Sequence, residues 1–200
     1  MDEERWRDPA WLASAHAWVD EQVSRLGLVR TADITQPHVY PWSTVLRVPT
    51  STGPVWFKAN DDVARHEAAL VGLLSRRVPT RVPPLLAGDV DRGWMLMADA
   101  GRSLREVAAE ERSLDRWHDV LAGSAEVQLS LENEVEDLLA LGVPDRRLST
   151  LEDGYAALMD EIDAEPRFRE AQAQVVELRA ALAAFGIAET VQHDDLHGCQ

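Results

Sequence analysis

Strand-forming and helix-forming segments are separated along this chain, and that separation is the strongest constraint on its fold. Short β-rich runs follow one another between Ile34 and Ala98, whereas segments with helical periodicity fill almost all of the chain after Gly101. Consecutive strands pair as an antiparallel sheet, and the helices then gather on one side or at one end of it. We therefore predict an α+β fold with a small antiparallel sheet and a largely helical second half.

Capping residues and helix breakers set the boundaries of the predicted elements. Asp8, Pro9 and Gly27 mark the two ends of a first helix over residues 8–27. Five strands are predicted at Ile34–Tyr40, Thr44–Val48, Pro54–Ala59, Pro84–Ala87 and Trp94–Ala98. Further helices are predicted from Asp61 or Asp62 to Arg77, after a capping box of Ser103 and Glu106, and at Ser113–Leu131, Thr150–Ile162 and Phe168–Phe185, with a brief strand at Glu189–Gln192.

Apolar residues at helical spacing also predict which side chains face inward. In the segment before Arg77 these include Val63 and Leu70, and in the segment that Ser113 caps they include Leu114 and Leu121. We expect these residues to be buried against the rest of the fold.

Net charge and hydropathy exclude several classes of partner. The chain of 200 residues carries a net charge of −15, so phosphate backbones and anionic membrane surfaces are repelled over most of it. The longest apolar run, Ala180–Ala188, is about half of the roughly 18 residues that a membrane span requires. The N-terminus is acidic, whereas a signal peptide begins with basic residues. The one cysteine, Cys199, cannot form an internal disulfide, which is typical of a reducing compartment. We expect a cytoplasmic protein that binds neither nucleic acid nor membrane.

The basic residues single out one position. Lysine and arginine together number 20, and only Lys58 is a lysine. A lysine presents a compact point charge, whereas the guanidinium of arginine is a planar fork. The bias indicates that the position of Lys58, at the end of a predicted strand, requires an ammonium group.

Four segments in a fixed order resemble the aminoglycoside phosphotransferase branch of the kinase-like phosphotransferases. They are the strand Val55-Trp56-Phe57-Lys58, the helix with Glu67, the joint Met95–Gly101, and the loop His193-Asp194-Asp195-Leu196-His197-Gly198-Cys199-Gln200. The resemblance implies a protein-kinase-like fold. Residues 1–98 would form a nucleotide-binding N-lobe, residues 99–101 a hinge, and residues 102–200 a partial helical C-lobe that ends in the catalytic loop.

The resemblance also implies a function, the transfer of the γ-phosphoryl group of ATP or GTP, with Mg²⁺, to a hydroxyl group of a small molecule. Asp195 would be the catalytic base that accepts the hydroxyl proton. Lys58 would hold the α- and β-phosphates, with Glu67 as its partner. Gln200 stands where the family has a magnesium-binding asparagine.

Two further parts of the nucleotide site are implied less directly. Kinases place glycines between the first two strands, whereas this chain has Tyr40-Pro41-Trp42-Ser43-Thr44. Ser43 and Thr44 would supply hydroxyl and backbone donors to the phosphates there. At the joint, the main-chain groups of Ala98 and Ala100 would face the adenine edge.

Two departures from the family pattern leave alternatives open: Gln200 stands in place of the asparagine, and the magnesium-binding aspartate is missing. The family continues beyond the catalytic loop with a magnesium-binding aspartate, so the resemblance predicts that this chain is a truncated form with uncertain activity. A non-catalytic nucleotide-binding remnant is therefore one alternative. Another is a zinc-dependent hydrolase, because an extended strand over residues 191–197 would place His193, Asp195 and His197 on one face.

Overall fold

The five predicted strands form one antiparallel sheet. The structure is a computed structural model that describes residues 3–193, 195 and 196. The chain is α+β, with about 48% of its residues in helices. The strands are β1 (Thr35–Tyr40), β2 (Ser43–Thr50), β3 (Gly53–Asn60), β4 (Leu85–Asp89) and β5 (Trp94–Ala98), in the spatial order β1-β2-β3-β5-β4. The α+β class and the antiparallel sheet are therefore confirmed.

The described residues form eight α-helices. They are α1 (Pro9–Arg25), α2 (Glu67–Arg77), α3 (Leu104–Glu111), α4 (Arg116–Ser130), α5 (Val135–Ala140), α6 (Leu151–Glu161), α7 (Pro166–Glu170) and α8 (Gln172–Ala183). Short 3-10 helices lie at Glu3–Arg7 and Leu148–Thr150. The sequence analysis did not predict α5 or the two 3-10 helices.

Helices α1 and α3 begin as their capping residues predict. The Asp8 carboxylate accepts a hydrogen bond from the Trp11 backbone N–H at 2.8 Å, and Pro9 is the first helical residue. Gly27, with φ of 70°, follows the end of α1. At α3 both hydrogen bonds of the capping box between Ser103 and Glu106 are present.

The main core lies between α1 and one face of the sheet. Leu46, Phe57 and Leu96 are paired across β2, β3 and β5, and none of them is exposed. Trp18 and Trp94 pack around Phe57 with ring centroids 5.6 and 5.5 Å away. Contacts between aromatic rings add to the stabilisation that comes from burying apolar area, so this face is a densely packed core.

Helix α2 begins later than the sequence analysis predicts. The Asp61 carboxylate accepts hydrogen bonds from the backbone N–H groups of Val63 and Ala64, but it caps a turn, and α2 starts only at Glu67. Because the segment before Glu67 is not helical, the predicted row of inward-facing apolar residues does not extend into it. Val63 is 73% exposed, so its predicted burial is wrong.

Helix α4 also differs from its predicted pattern. The Ser113 hydroxyl accepts from the Asp115 backbone N–H, and the helix begins at Arg116. Leu114 and Leu121 are exposed, so their assignment to the buried side is wrong. The one fully buried residue within α4 is Gly123, which lies beneath the Arg81 side chain. A Cβ atom at this position would lie 3.2 Å from Cδ of Arg81, so a larger residue would require the Arg81 side chain to shift.

The C-terminal third departs furthest from prediction. The single helix predicted over residues 168–185 is divided into α7 and α8 at Ala171. The strand predicted at Glu189–Gln192 is absent, because those residues form no regular structure. A strand needs a partner to accept its backbone hydrogen bonds, and none of the five strands pairs with this segment.

The chain divides into two compact units, at positions other than the predicted lobes. One unit contains the described residues of 1–130 and of 192–200, and the other contains residues 131–191. Helix α4, expected in the second lobe, belongs to the unit with the sheet. Its Glu126 accepts two hydrogen bonds from Arg81, at 2.6 and 2.8 Å, which join α4 to the segment before β4.

A search of the described helices finds none whose length and hydropathy would let it cross a bilayer.

Candidate functional site

Lys58 and Glu67 form an ion pair on the second face of the sheet, the face opposite α1. Lys58 lies in β3 and Glu67 is the first residue of α2. The Lys58 Nζ donates to both carboxylate oxygens, at 2.6 and 2.7 Å. The two side chains are 26% and 32% exposed, so the pair is partly shielded but still reaches solvent. The expected contact is present, and its role in nucleotide binding stays a prediction.

Asn60 is a third member of this cluster that the sequence analysis missed. Its Nδ2 donates to Glu67 Oε2 at 2.7 Å, and the residue is only 5% exposed. Its Oδ1 is buried and has no hydrogen-bond donor in the described part of the chain. The signal was available in the sequence, because residues two apart in a strand share a face. Lys58 in β3 therefore implied that Asn60 would lie beside it.

The sheet register separates Ser43 from Thr44. Ser43 is paired with Asn60 across β2 and β3, so it lies on the same face as Lys58. Thr44 faces the other way and is fully buried. Its hydroxyl donates to the His38 carbonyl and accepts from Gln36 Nε2. Successive residues of a strand point to opposite faces, so the geometry brings only Ser43 to the cluster.

Stacked aromatic rings occupy the turn between β1 and β2, where a kinase would place glycines. The rings of Tyr40 and Trp42 are nearly parallel, with centroids 5.4 Å apart, and about half of each residue is exposed. The Trp42 carbonyl accepts from the Asp61 backbone N–H at 2.8 Å. The turn is therefore tied to the segment that precedes α2.

The predicted hinge is linked to the sheet through Trp56. The Trp56 indole Nε1 donates to Asp99 Oδ1 at 2.9 Å, and the same oxygen accepts from the Gly101 backbone N–H at 3.3 Å. The Ala98 N–H donates to the Pro84 carbonyl, so this donor is used within the fold, whereas Ala100 is exposed. Trp56 lies two residues before Lys58 and therefore shares its face. Sequence reasoning placed Asp99 in the hinge but assigned no role to the side chains of Trp56 and Asp99.

The predicted catalytic residue Asp195 is exposed and has no regular secondary structure. Its backbone N–H donates to Nδ1 of His193 at 3.3 Å. Gln192 accepts at 2.8 Å from Gln128 of α4 and belongs to the same compact unit as Lys58. Gln200, the predicted magnesium ligand, lies outside the described residues.

The zinc alternative depended on a strand over residues 191–197. The described residues of that segment are not in a strand, so the alternation on which the alternative was based is absent. His197 lies outside the described residues. Among residues 3–193, 195 and 196 there is no group of three or more histidine, cysteine, aspartate or glutamate side chains that could hold a metal ion.

A shallow groove of about 460 Å³ lies between α3 and α4, and none of the predicted site residues lines it. Arg102 and Arg116 line it. Glu110 pairs with Arg102, and Glu111 pairs with Arg116. Their positive charges are thus already balanced by neighbouring carboxylates.

No protein-family model matches this chain, and a search of curated proteins finds no significant match. Its function is therefore inferred from the geometry of the site.

Proposed function

We propose that this chain is a kinase-like phosphotransferase that uses ATP or GTP with Mg²⁺ to phosphorylate a hydroxyl group of a small molecule. The observation that carries the proposal is the ion pair between Lys58 and Glu67. In kinases a lysine on the third strand pairs with a glutamate on the following helix, and that pair positions the nucleotide phosphates. Here the lysine lies on β3 and the glutamate begins the next helix, α2.

The charge on the second face of the sheet supports the same proposal. Arg47 in β2 is exposed and pairs in the sheet with Trp56, so it shares the face of Lys58. A polyphosphate would be attracted to the Arg47 guanidinium on this face in spite of the net negative charge of the chain.

Each proposed residue has one task in the transfer. Lys58 neutralises phosphate charge, and Glu67 keeps its ammonium in place. The Ser43 hydroxyl donates to a phosphate oxygen. Asp195 accepts the proton of the acceptor hydroxyl as that oxygen attacks the γ-phosphorus, and the nucleoside diphosphate leaves. Mg²⁺ supplies further charge neutralisation when it is bound to the phosphates, and because the described residues contain no metal cluster we assign it no protein ligand there.

The single lysine makes a direct experiment possible. An amine-reactive acylating reagent modifies only the Lys58 ε-amine and the N-terminal amine, which peptide mapping separates. We expect Mg·ATP or Mg·GTP to protect Lys58 from acylation and to raise the thermal midpoint. At a hundredfold excess over Kd, binding adds about 2.7 kcal/mol to the free energy of unfolding. Absence of both effects, with either nucleotide, would contradict the proposal.

Two variants connect the binding to Lys58. Lys58→Met removes the charge while keeping side-chain length, so the nucleotide-dependent rise in midpoint should disappear. Lys58→Arg keeps the charge but not its point-like geometry, and should retain part of the rise. In the intact chain, Asp195→Asn should abolish turnover over a panel of hydroxyl acceptors while nucleotide binding survives.

A nucleotide-binding protein without transferase activity is the second candidate. The stacked rings of Tyr40 and Trp42 favour it, because they stand where backbone N–H groups would cover the phosphates for transfer. Stabilisation by Mg·ATP without a phosphorylated product would select this candidate.

A further inference from the structure

Asn60 is the buried polar residue of the cluster for which the proposed function gives no task. Burial of an amide is unfavourable unless its donor and acceptor groups are both satisfied. The Asn60 Nδ2 is satisfied by Glu67, but its Oδ1 is not satisfied by any described residue. A leucine of similar size would leave no unpaired carbonyl. Asn60 is therefore a poor choice for stability at this position, which points to a role in the site.

The hydrogen bonds of Glu67 indicate what that role is. Glu67 Oε1 accepts from Lys58, and Oε2 accepts from both Lys58 and Asn60. The amide orientation follows from chemistry, because the opposite orientation would place the Oδ1 of Asn60 against a carboxylate oxygen. Asn60 thus holds the carboxylate from the side of β3, while α2 carries its backbone.

The backbone of Asn60 is itself held in place by the sheet. Its backbone N–H donates to the Gly93 carbonyl at 3.2 Å, next to the start of β5. Ser43 is its partner across β2 and β3. Because the sheet holds Asn60 on two sides, its side-chain amide can define where the Glu67 carboxylate at the start of α2 lies.

We infer that Asn60 is a positioning residue that locks Glu67 against Lys58 and so keeps the ammonium group in a single place. The consequence for nucleotide binding rests on the proposed function, but the positioning itself does not. Without Asn60 the ion pair remains possible, since Lys58 still reaches both oxygens, but it opens more often. The expected signature is a more reactive Lys58 in a protein that is no less stable.

The acylation rate of Lys58 in the absence of nucleotide measures this opening. We expect Asn60→Leu to raise the rate roughly fivefold, which corresponds to the loss of one hydrogen bond. The thermal midpoint should stay the same or rise. Asn133→Leu is a matched control, because Asn133 is the other asparagine of the chain and is exposed. It should leave the rate unchanged.

A double-mutant cycle with Glu67→Gln decides whether Asn60 acts through Glu67. Glu67→Gln alone should raise the acylation rate more than Asn60→Leu, because it removes the charge of the pair. Adding Asn60→Leu to it should then have no further effect. An equal increase in both backgrounds would show general loosening and overturn the inference. An unchanged rate in Asn60→Leu would also overturn it.

Folding failure does not leave the question open. Asn60→Ala is made in parallel, and if neither the leucine nor the alanine variant folds, Asn60 is a structural residue and the inference is wrong. Protection of wild-type Lys58 by Mg·ATP is scored separately. If Mg·ATP does not protect Lys58 but the double-mutant cycle gives the expected result, the proposed function is rejected and the positioning role stands. If Mg·ATP protects Lys58 but the cycle does not give the expected result, only the positioning role is rejected.

Discussion

The two compact units differ in how they bury their apolar side chains. All twelve residues of the main core cluster lie in the unit that carries the sheet. In residues 131–191 the buried apolar residues are Leu131, Leu138 and Met159, and α8 has no buried residue. Helices in proteins gain most of their stability from packing rather than from intrinsic propensity. The comparison indicates that the sheet unit supplies most of the stability of the chain.

Sequence composition does not explain this difference. Helix α8 is rich in leucine and alanine, which are strong helix formers. Leu178 and Leu182 lie four residues apart on one side of the helix, and both are exposed, as is Phe185 just beyond it. An apolar residue stabilises the fold only when something covers it, so the same residue type contributes differently in the two units.

The largest expected difference is in amide hydrogen exchange. Amides of β2 and β3 should exchange only through global unfolding, whereas those of α8 should exchange through local opening. Protection factors should therefore be at least about 100-fold higher in the strands. Exchange measured residue by residue by nuclear magnetic resonance tests this, and equal protection in the two units would remove the basis of the comparison.

Core truncation should show the next largest contrast. Phe57→Ala removes a fully buried ring from the centre of the core and should lower the free energy of unfolding by about 3–5 kcal/mol. Leu178→Ala, at a residue that is 61% exposed, should change it by no more than about 0.5 kcal/mol. Chemical denaturation gives both values. The seven tryptophans lie outside residues 131–191, so their fluorescence follows the sheet unit. Similar losses in the two variants would show that residues 131–191 have an equally tight core.

Helix capping should have a smaller effect that is again confined to the sheet unit. Asp8→Ala removes the acceptor for the Trp11 N–H and should destabilise by about 1 kcal/mol, because α1 covers the core face of the sheet. Asp8→Asn keeps a side-chain acceptor and should lose much less. Thermal unfolding followed by tryptophan fluorescence measures both, and equal midpoints for the alanine variant and the wild type would contradict the assigned cap.

Acid sensitivity should show the smallest effect, with one carboxylate in each unit. Hydrogen bonds from the Arg147 side chain, with a further one from its backbone, lower the pKa of Asp145. The Arg116 side chain lowers the pKa of Glu111. A carboxyl group whose pKa is lower in the folded state than in the unfolded state stabilises the fold at pH values above its unfolded-state pKa. This stabilisation is lost as the pH falls below about 4.

Variants separate the two contributions. Between neutral pH and about pH 3, the change in the far-ultraviolet circular dichroism signal should be smaller in Asp145→Asn than in the wild type. The change in tryptophan fluorescence over the same pH range should be equal in the two proteins. Glu111→Gln should reduce the acid-dependent part of the fluorescence change. Both effects should be small, because these pairs are exposed to solvent. A larger effect of Asp145→Asn on fluorescence than on circular dichroism would contradict the assignment to separate units.

Predictions from sequence succeeded where the deciding interactions are local. The start of α1 follows from Asp8 and Pro9, and the start of α3 from Ser103 and Glu106, since each cap is made within a few residues. The five strands follow from alternation and from turn residues between them. The partnership of Lys58 and Glu67 was also accessible, because strand and helix are adjacent in the chain and the two charges are complementary.

Predictions failed where distant contacts decide. The turn capped by Asp61 delays α2 because the Asp61 backbone is held by Trp42 in the β1–β2 turn. Leu114 and Leu121 have the right spacing for burial, but the face of α4 that packs is the one that contains Gly123 beneath Arg81. The segment 189–192 was predicted as a strand, but it is not part of the five-stranded sheet.

By itself the sequence determined the α+β class, the order of the strands along the chain and the lysine that distinguishes one position among 20 basic residues. These depend on side-chain periodicity and on caps, which act over one or two turns of chain. Only the tertiary structure decided that Ser43 lies on the face of Lys58 while Thr44 is enclosed in the core. The physical reason is strand register, which is set by pairing between segments and which moves every side chain to the other face when it shifts by one residue.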